Sequence, residues 1–269
     1  MKRLILLYLI FFFLFAAKVS ALIVPETLDY DLTLANIKIG NVSFETKDAG
    51  RYVQLQSKVS AAGWVSLFYA VDDNVVSLLE KRQMKDPRPF AFVPVSAKVE
   101  ISEGPHKTNK EFLFEQKKKV VLYSDLLSNE KANFVIKDLT FDPLSALYYI
   151  RQLPLKVGTS FFVSIFNNKL VYKVNVQVLK KETLKTTIGT VNTVLVRANM
   201  DYVGDGIIYY PGDIYLWMTD DDKRTTVMIE KKLKPLIEGK LPGFIKEKMP
   251  DFLMEKLSTG VVKAVLIKR

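Results

Sequence analysis

Cysteine is absent from this 269-residue sequence, and His106 is its single histidine. Without cysteine the chain has no disulfide framework, no thiol nucleophile and no thiolate ligand for a metal. Zinc and copper sites depend on histidine and cysteine, and a lone histidine in a turn-rich stretch is typical of a solvated loop. The sequence also lacks a glycine-rich phosphate loop and a G-x-S-x-G nucleophile motif. We therefore expect a non-enzymatic protein with no catalytic residues, no metal and no cofactor.

A long apolar run occurs at the N-terminus. Lys2 and Arg3 precede the apolar residues 4–17, and Val19-Ser20-Ala21 follows them. A basic start, a short apolar core and small residues two apart are typical of a secretory signal peptide. The run is shorter than the ~20 residues that span a bilayer, which favours a cleaved leader over an uncleaved anchor. We predict an exported protein, with residues 1–21 as signal peptide and cleavage after Ala21.

The chain is basic, with a formal net charge of +10. Lysine and glutamate alternate along most segments, and the densest basic run is Lys117-Lys118-Lys119. Such a run fits anionic lipid headgroups or acidic glycans. Lysines that protect exposed strand edges from aggregation are the commoner explanation in an exported β protein. Nucleic acid is not expected as a partner, because the leader directs the chain away from it.

Period-2 alternation of apolar and polar residues dominates residues 22–269 and indicates strands. Leu28 to Leu34 place apolar residues on one face, and Gly40-Asn41 is typical of a turn. We predict a mainly β protein, a strongly curved antiparallel sheet or barrel-like sandwich with two or three short helices. No composition shift divides residues 22–269, so we expect a single domain. The further predicted strands are Tyr52–Ser60, Val75–Arg82, Val93–Ile101, Glu111–Phe114, Val120–Tyr123, Phe161–Phe166, Leu170–Leu179, Val191–Met200, Ile207–Thr219, Arg224–Lys232 and Val261–Ile267.

Three segments favour helix. Residues 61–71 repeat apolar side chains at helical spacing, including Trp64 and Phe68. Asp142-Pro143 suits a helix start, because aspartate caps free amides and proline fits the first helical position. Residues 236–259 are apolar but interrupted by prolines, so they predict two short pieces inserted before the last strand.

Clustered carboxylates offer the remaining route to catalysis. Asp72-Asp73 and Asp220-Asp221-Asp222 each lie between predicted strands. Paired acids hydrolyse glycosides when they face each other across a cleft, and several oxygens together bind calcium. Aspartate is also frequent in hairpin turns, where its side chain accepts hydrogen bonds from the turn backbone. We favour the turn interpretation here, and also for Asn167-Asn168-Lys169, which predicts a tight hairpin.

Several segments follow one another in a specific order along the chain. They are Tyr30–Gly40 (YDLTLANIKIG), Gly63–Asp73 (GWVSLFYAVDD), Asp142–Arg151 (DPLSALYYIR), Leu153–Gly158, Ile214–Glu230 (IYLWMTDDDKRTTVMIE) and Gly260–Leu266. In this order they resemble the bacterial envelope proteins grouped as the domain of unknown function DUF3108. The resemblance implies an exported, mostly antiparallel β-domain in the periplasm. It implies no activity, so it assigns no functional residue. The sequence departs from the family in Leu236–Thr259, where a short turn is expected.

The aromatic residues point to binding. In the predicted strand Ile207–Thr219 both faces are apolar or aromatic, so we expect a core on one side and a helix, lid or ligand on the other. Burial under the Asp142 helix is the simpler explanation. If the strand lines a cavity, the candidate ligand-binding residues are Trp64, Phe68, Tyr148, Tyr215, Trp217, Phe244 and Phe252.

Three functions remain open from the sequence. The leading hypothesis is a carrier that binds a lipid or other hydrophobic ligand in a β-lined cavity, with Phe244 to Leu257 as a lid or membrane-touching flap. The second is a structural or scaffolding envelope protein that docks a protein partner through strand edges and the inserted segment. The membrane surface is the other partner that the sequence leaves open. The weakest is a cell-wall glycan hydrolase that uses Asp72 and Asp221.

Overall fold

The computed structural model of the chain describes residues 23–81, 92–200, 212–232 and 260–269. The predicted signal peptide and the inserted segment 236–259 lie outside the described residues.

Fifteen strands and two short helices make up the described part of the chain. Their bounds are β1 (Glu26–Leu34), β2 (Ile37–Ala49), β3 (Tyr52–Ala61), α1 (Gly63–Ser66), β4 (Asp72–Lys81), β5 (Phe92–Glu103), β6 (His106–Glu115), β7 (Val120–Asp125), β8 (Glu130–Val135), β9 (Thr140–Phe141), α2 (Pro143–Ile150), β10 (Ser160–Asn167), β11 (Leu170–Thr186), β12 (Gly189–Met200), β13 (Gly212–Thr219), β14 (Thr226–Lys232) and β15 (Val261–Lys268).

All strands belong to one sheet with two meandering arms. The order runs from β8 back to β1, then β15 back to β9, so the first and last strands pair at the junction of the arms. Neighbouring strands are antiparallel except β9 and β10, which are parallel. The sheet is strongly curved, because α2 contacts β3 and β4 in one arm and β9 and β10 in the other. The fold class predicted from the alternation is thus confirmed.

The predicted strands match observed strands, with ends that move by several residues. Three strands were missed: β2, β8 and β9. β8 has the sequence EKANFV, in which polar residues hide the alternation, and its side chains are mostly exposed. β9 has two residues, which is too short for any periodic pattern.

The predicted turn at Gly40-Asn41 is wrong, because β2 continues through it. The chain turns earlier, at Ala35 and Asn36, whose φ values are 47° and 68°. Positive φ at both central residues suits the right-handed twist of a two-residue hairpin. Gly40 serves a different purpose, since a Cβ atom there would lie 2.4 Å from the carbonyl oxygen of Ser60 on β3. Glycine is therefore required at Gly40 by a close approach of two strands.

The long amphipathic helix predicted for residues 61–71 is also wrong. Helix α1 covers four residues and buries none of them. Trp64 and Phe68 are exposed rather than turned to a core, and the exposed fraction of Leu67 is 81%. The segment connects the adjacent strands β3 and β4, and its single helical turn contacts β2 without burying an apolar face.

Helix α2 begins as the sequence predicted. The Asp142 carboxylate accepts hydrogen bonds from the backbone amides of Leu144 (3.0 Å) and Ser145 (3.1 Å), and the Ser145 hydroxyl accepts one from the Asp142 amide. These reciprocal bonds form a capping box, with proline at the first helical position. Ser77 of β4 donates a further hydrogen bond of 2.7 Å to the same carboxylate, which fixes the helix start on the sheet.

The helix fills the inside of the curved sheet. Ala146 and Ile150 belong to a buried cluster that includes residues of β10 to β13. Leu144 and Tyr148 belong to a second cluster, with Leu55 of β3. The two faces of one short helix therefore pack against opposite arms of the sheet, and this shared burial holds the arms together.

Strand β13 is covered on both faces, as its apolar pattern predicted. Leu216 and Met218 pack in the α2 cluster. Trp217 points to the other face and packs in a cluster with Tyr30 of β1 and Leu266 of β15. Protein side chains cover both faces, and the Asp142 helix accounts for one of them.

A buried ion pair ties the end of α2 to the first strand. The Arg151 guanidinium donates to both carboxylate oxygens of Glu26, at 2.6 and 2.8 Å, and also to the carbonyl of Lys223 at 3.1 Å. The exposed fractions of the Arg151 and Glu26 side chains are 5% and 8%. Burial opposes the charge on Arg151, but the hydrogen bonds that it donates to Glu26 and the attraction of that carboxylate outweigh the burial and raise the pKa of Arg151. The pair joins residues 125 positions apart in the sequence.

We expect Gly40→Ala to lower the free energy of unfolding by about 1–3 kcal/mol, because the new Cβ atom would push β2 away from β3. Urea denaturation measures the change. Gly63→Ala is the matched control, since a Cβ atom at Gly63 has no neighbour within 4 Å. Equal losses in the two variants would contradict the close approach.

Removing one partner of the buried ion pair should lower the free energy of unfolding far more than removing both partners together. We expect Arg151→Met or Glu26→Leu alone to lower the free energy of unfolding by about 3–5 kcal/mol, because each leaves an uncompensated buried partner. The double variant Glu26→Leu/Arg151→Met should lose much less than the sum of the two. A double-mutant cycle from denaturation curves checks this, and additive losses would show that the pair is not coupled.

Candidate functional site: a pocket beside strands β9 and β10

The parallel pair β9–β10 forms one edge of the sheet. Thr140 lies opposite Ser164, and their hydroxyl oxygens are 3.0 Å apart. The Gln116 amide pairs with the Thr140 backbone in both directions, donating to its carbonyl at 2.7 Å and accepting from its N–H at 3.2 Å. Because β9 leads at once into the Asp142 cap, the edge and α2 are positioned together.

A pocket of about 270 Å³ opens beside this edge. Its volume is near the lower end of the range for ligand pockets, which suits a small apolar group or one segment of a longer ligand. Residues from the β8–β9 connection, α2 and both strands of the β10–β11 hairpin line it. They are Asp138, Leu139, Phe141, Tyr149, Phe162, Val163, Ser164 and Lys173.

Aromatic rings form much of the pocket wall. Phe141 and Tyr149 are stacked, with ring centroids 4.4 Å apart, which fixes Tyr149 of α2 against the edge strand. Burial raises the pKa of Tyr149 to about 12, so its hydroxyl stays protonated and uncharged at neutral pH. Phe162 of β10 is the unusual member, because 62% of this large apolar side chain is exposed.

A cation lies beside the exposed ring. The Lys173 ammonium is 4.6 Å from the ring centroid of Phe162, within the range of a cation–π contact. Asp138 contributes a carboxylate elsewhere on the lining. An aromatic surface with a single adjacent ammonium can bind an apolar group that carries a negative charge. Asp138 is the one carboxylate among the lining residues, and none of them is a histidine.

The aspartates considered in the sequence lie in two separate places. Asp221 accepts hydrogen bonds from the Thr219 hydroxyl and from the amides of Lys223 and Arg224, as expected for a turn. Asp72 lies at the opposite end of the strands, at the start of β4, so the two carboxylates do not flank one cleft. Within the described ranges, no three side chains of the metal-binding types lie close enough to hold an ion.

Asp73 is buried and accepts a hydrogen bond of 3.0 Å from the amide of Ser102. Burial raises the pKa of Asp73, and the Ser102 amide opposes that rise. His106 is exposed at the start of β6, where its ring is 3.3 Å from the Thr108 hydroxyl.

The aromatic candidates from the sequence lie in different parts of the molecule. Trp64 and Phe68 are exposed around α1, and the Trp64 indole donates to the carbonyl of Lys38 at 3.1 Å. Tyr148 is buried on the inner side of the sheet, with Arg151 5.0 Å from its ring centroid. Phe244 and Phe252 lie outside the described residues.

Tyr215 and Trp217 are neighbours on β13, and their ring centroids are 6.3 Å apart. The Trp217 indole donates to the Glu182 carboxylate at 2.8 Å, so its polar edge is satisfied by protein. Both belong to the cluster on the face of β13 away from α2. The described candidates therefore do not converge on one cavity.

The residues of the β9–β10 pocket were not selected from the sequence. One signal was present, because Phe161 and Phe162 are consecutive in a strand and must point to opposite faces. Phe161 packs against the α2 cluster, which leaves Phe162 on the outside. The position of Lys173 in the pocket could not be predicted from the sequence, because it depends on the strand register that places Lys173 opposite Ser164.

Neither of the two helices in the described ranges combines the length and apolar character needed to cross a membrane.

Comparison with known proteins gives a structural relative and a family. The fold is similar to the crystal structure of a beta-barrel-like protein of the domain of unknown function DUF1849 from Brucella abortus. The TM-score is 0.52 at 10% identity, and the match covers 92% of this chain and 98% of that one. No curated protein matches. A sequence model matches residues 29–235 and is described as a protein of unknown function (DUF3108). Since this is well over half of the chain, the protein belongs to the DUF3108 family.

Proposed function

We propose that this protein is an exported, non-enzymatic binding protein of the periplasm whose pocket beside β9 and β10 holds the apolar part of an anionic ligand. A fatty acid or the acyl end of a lipid has this chemistry. The observation that carries the proposal is the exposed Phe162 ring, which lies beside the Lys173 ammonium at the pocket.

The position of the pocket argues for a surface site rather than a central cavity. Helix α2 and its two clusters occupy the inside of the curve, where the sequence suggested that a lipid would lie. Phe162 is on the outer side of the same hairpin whose inner side packs on α2. A ligand can therefore bind without opening the core.

In the free protein the apolar surface of the exposed Phe162 ring is in contact with water, which is energetically unfavourable. Burying the ring under a ligand would recover roughly 25 cal/mol for each Å² of apolar surface removed from water. The Lys173 ammonium adds attraction for a carboxylate or phosphate head, and it also disfavours a cationic ligand. Apolar contact supports affinity, and the ammonium supports selectivity for negative charge.

We expect Phe162→Ser to weaken binding of a fluorescent short-chain fatty acid by about tenfold, since most of the apolar contact is lost. Lys173→Gln should weaken binding of the acid by about threefold to tenfold and leave binding of its uncharged methyl ester unchanged. Fluorescence titration measures the dissociation constant of the acid for the parent protein and both variants, and that of the ester for the parent protein and Lys173→Gln.

Two variants elsewhere in the sheet serve as controls. Leu113→Ser removes an exposed apolar side chain from β6, and Lys131→Gln removes an exposed ammonium from β8. Both should leave fatty-acid binding unchanged. Binding that is insensitive to Phe162→Ser and Lys173→Gln, or equally sensitive to the controls, would overturn the proposal and favour the docking alternative.

A further inference from the structure

The surface of the sheet beside the β9–β10 pocket is polar. The register between β10 and β11 places Phe162 opposite Asn175. Val174 and Val176 of β11 pack in the α2 cluster. Because successive side chains of a strand alternate between its two faces, Asn175 and Gln177 point to the outer face, as Phe162 does.

Polar side chains continue across the next two strands. Arg197 of β12 lies opposite Gln177, and Asn199 lies opposite Asn175. Asp213 of β13 in turn lies opposite Asn199. The residues that alternate with them on β12 and β13 pack in or against the α2 cluster, so all five polar side chains share the outer face. We call this group the polar row: Asn175, Gln177, Arg197, Asn199 and Asp213.

Contacts within the polar row hold most of its members in place. The Arg197 guanidinium donates a hydrogen bond to the side-chain oxygen of Gln177 and lies 3.7 Å from the Asp213 carboxylate. The Asn199 amide donates to the same carboxylate at 2.8 Å. Solvent reaches the row, since 34% of the Arg197 side chain and 28% of the Asp213 side chain are exposed. These groups are therefore both ordered and accessible.

Two polar atoms of the row indicate which chemistry it can bind. The Oδ1 atom of Asn175 and the Nε–H group of Arg197 are buried, and neither has a hydrogen-bond partner among the described residues. A buried polar group without a partner is destabilising, so each such group in a folded protein calls for a partner. One of these groups accepts, the other donates, and they lie at diagonally neighbouring positions of adjacent strands. A hydroxyl group both donates and accepts, so it can satisfy the two together.

The charges around these atoms favour a neutral or acidic ligand over a cationic one. Lys173 lies on the same face of β11, and Arg197 is a second cation. Asp213 is the one carboxylate of the row and lies beside Arg197. On the next strand, Glu230 of β14 is paired with Lys263 of β15 at 3.2 Å.

We propose that the ligand of this site is a glycolipid, with its apolar chain in the β9–β10 pocket and its sugar on the polar row. The proposal rests on the proposed function, because the pocket must first bind the chain. A sugar presents several hydroxyl groups in a fixed arrangement, which suits a row whose own groups are held in place. The junction of chain and sugar would lie where Phe162 and Asn175 pair across β10 and β11. A site built to bind hydroxyl groups discriminates strongly against ligands that lack them.

A pair of ligands that differ in the sugar tests this proposal. Octyl β-glucuronide and nonanoic acid both carry an octyl chain and one carboxylate, and the glucuronide has hydroxyl groups in addition. We expect the parent protein to bind the glucuronide about tenfold more tightly, since at least two hydrogen bonds are gained. Isothermal titration calorimetry below the critical micelle concentration measures both dissociation constants.

The two proposals fail in different ways. Binding of nonanoic acid without a preference for the glucuronide would overturn the glycolipid assignment and leave the proposed function in place. Binding of neither ligand would overturn both. Phe162→Ser should weaken the binding of both ligands, because both use the pocket.

Variants of the polar row locate the sugar. Asn175→Leu removes the buried acceptor at similar size, and Arg197→Lys keeps the charge but removes the Nε–H group. We expect the first to weaken glucuronide binding by about tenfold and the second by about fivefold, with binding of nonanoic acid unchanged in both. Asn133→Leu is the matched control, because Asn133 is an exposed asparagine of β8, and it should bind both ligands like the parent protein.

Urea denaturation first establishes that each variant is folded. Glucuronide binding that is unchanged in both Asn175→Leu and Arg197→Lys would overturn the placement of the sugar on the polar row. An equal loss in Asn133→Leu would overturn it as well.

Discussion

The structure depends on the packing of one eight-residue helix inside a sheet that does not close on itself. A fifteen-stranded sheet with this much curvature needs an element that contacts both arms, and α2 is that element. Its start is fixed to β4 through Asp142 and Ser77, and its end is fixed to β1 through Arg151 and Glu26. Between these polar contacts, apolar side chains pack towards each arm. The curvature of the sheet and the placement of the helix therefore depend on each other.

This constraint also decides where a ligand can bind. In a closed barrel the central space is available for a ligand, and lipid carriers use it in that way. Here α2 takes that space, and the pocket lies at the edge of the sheet, where Tyr149 of α2 lines it together with residues of β9, β10 and β11. Phe161 and Val163 of β10 face the α2 cluster, and the exposed Phe162 lies on the opposite face of the strand. A rigid core and an accessible aromatic surface are compatible because binding does not require the helix to move.

Local signals predicted the parts of the fold that local physics determines. The alternation gave the strands, and the Asp142-Pro143 pair gave the start of α2, because capping involves residues within one turn. Gly40 was misassigned because its role depends on Ser60, a residue on another strand. Residues 61–71 were misassigned because helical spacing is not sufficient without a surface on which the helix can pack. At Gly40 a contact between distant segments overrode the local preference, and in residues 61–71 no buried contact supported it.

The same distinction between local and distant contacts explains which residues of the candidate site could be predicted from the sequence. Phe162 stands out in the sequence once β10 is known to be a strand, but Lys173 and Tyr149 reach the pocket through the hairpin register and the path of α2. One further consequence follows from Gln116, whose side chain satisfies both backbone groups of Thr140. That edge offers little to a strand from a second copy, whereas β8 terminates the other arm. Self-association by strand pairing would therefore join β8 to β8, and such a symmetric contact ends at a dimer instead of growing into a fibre.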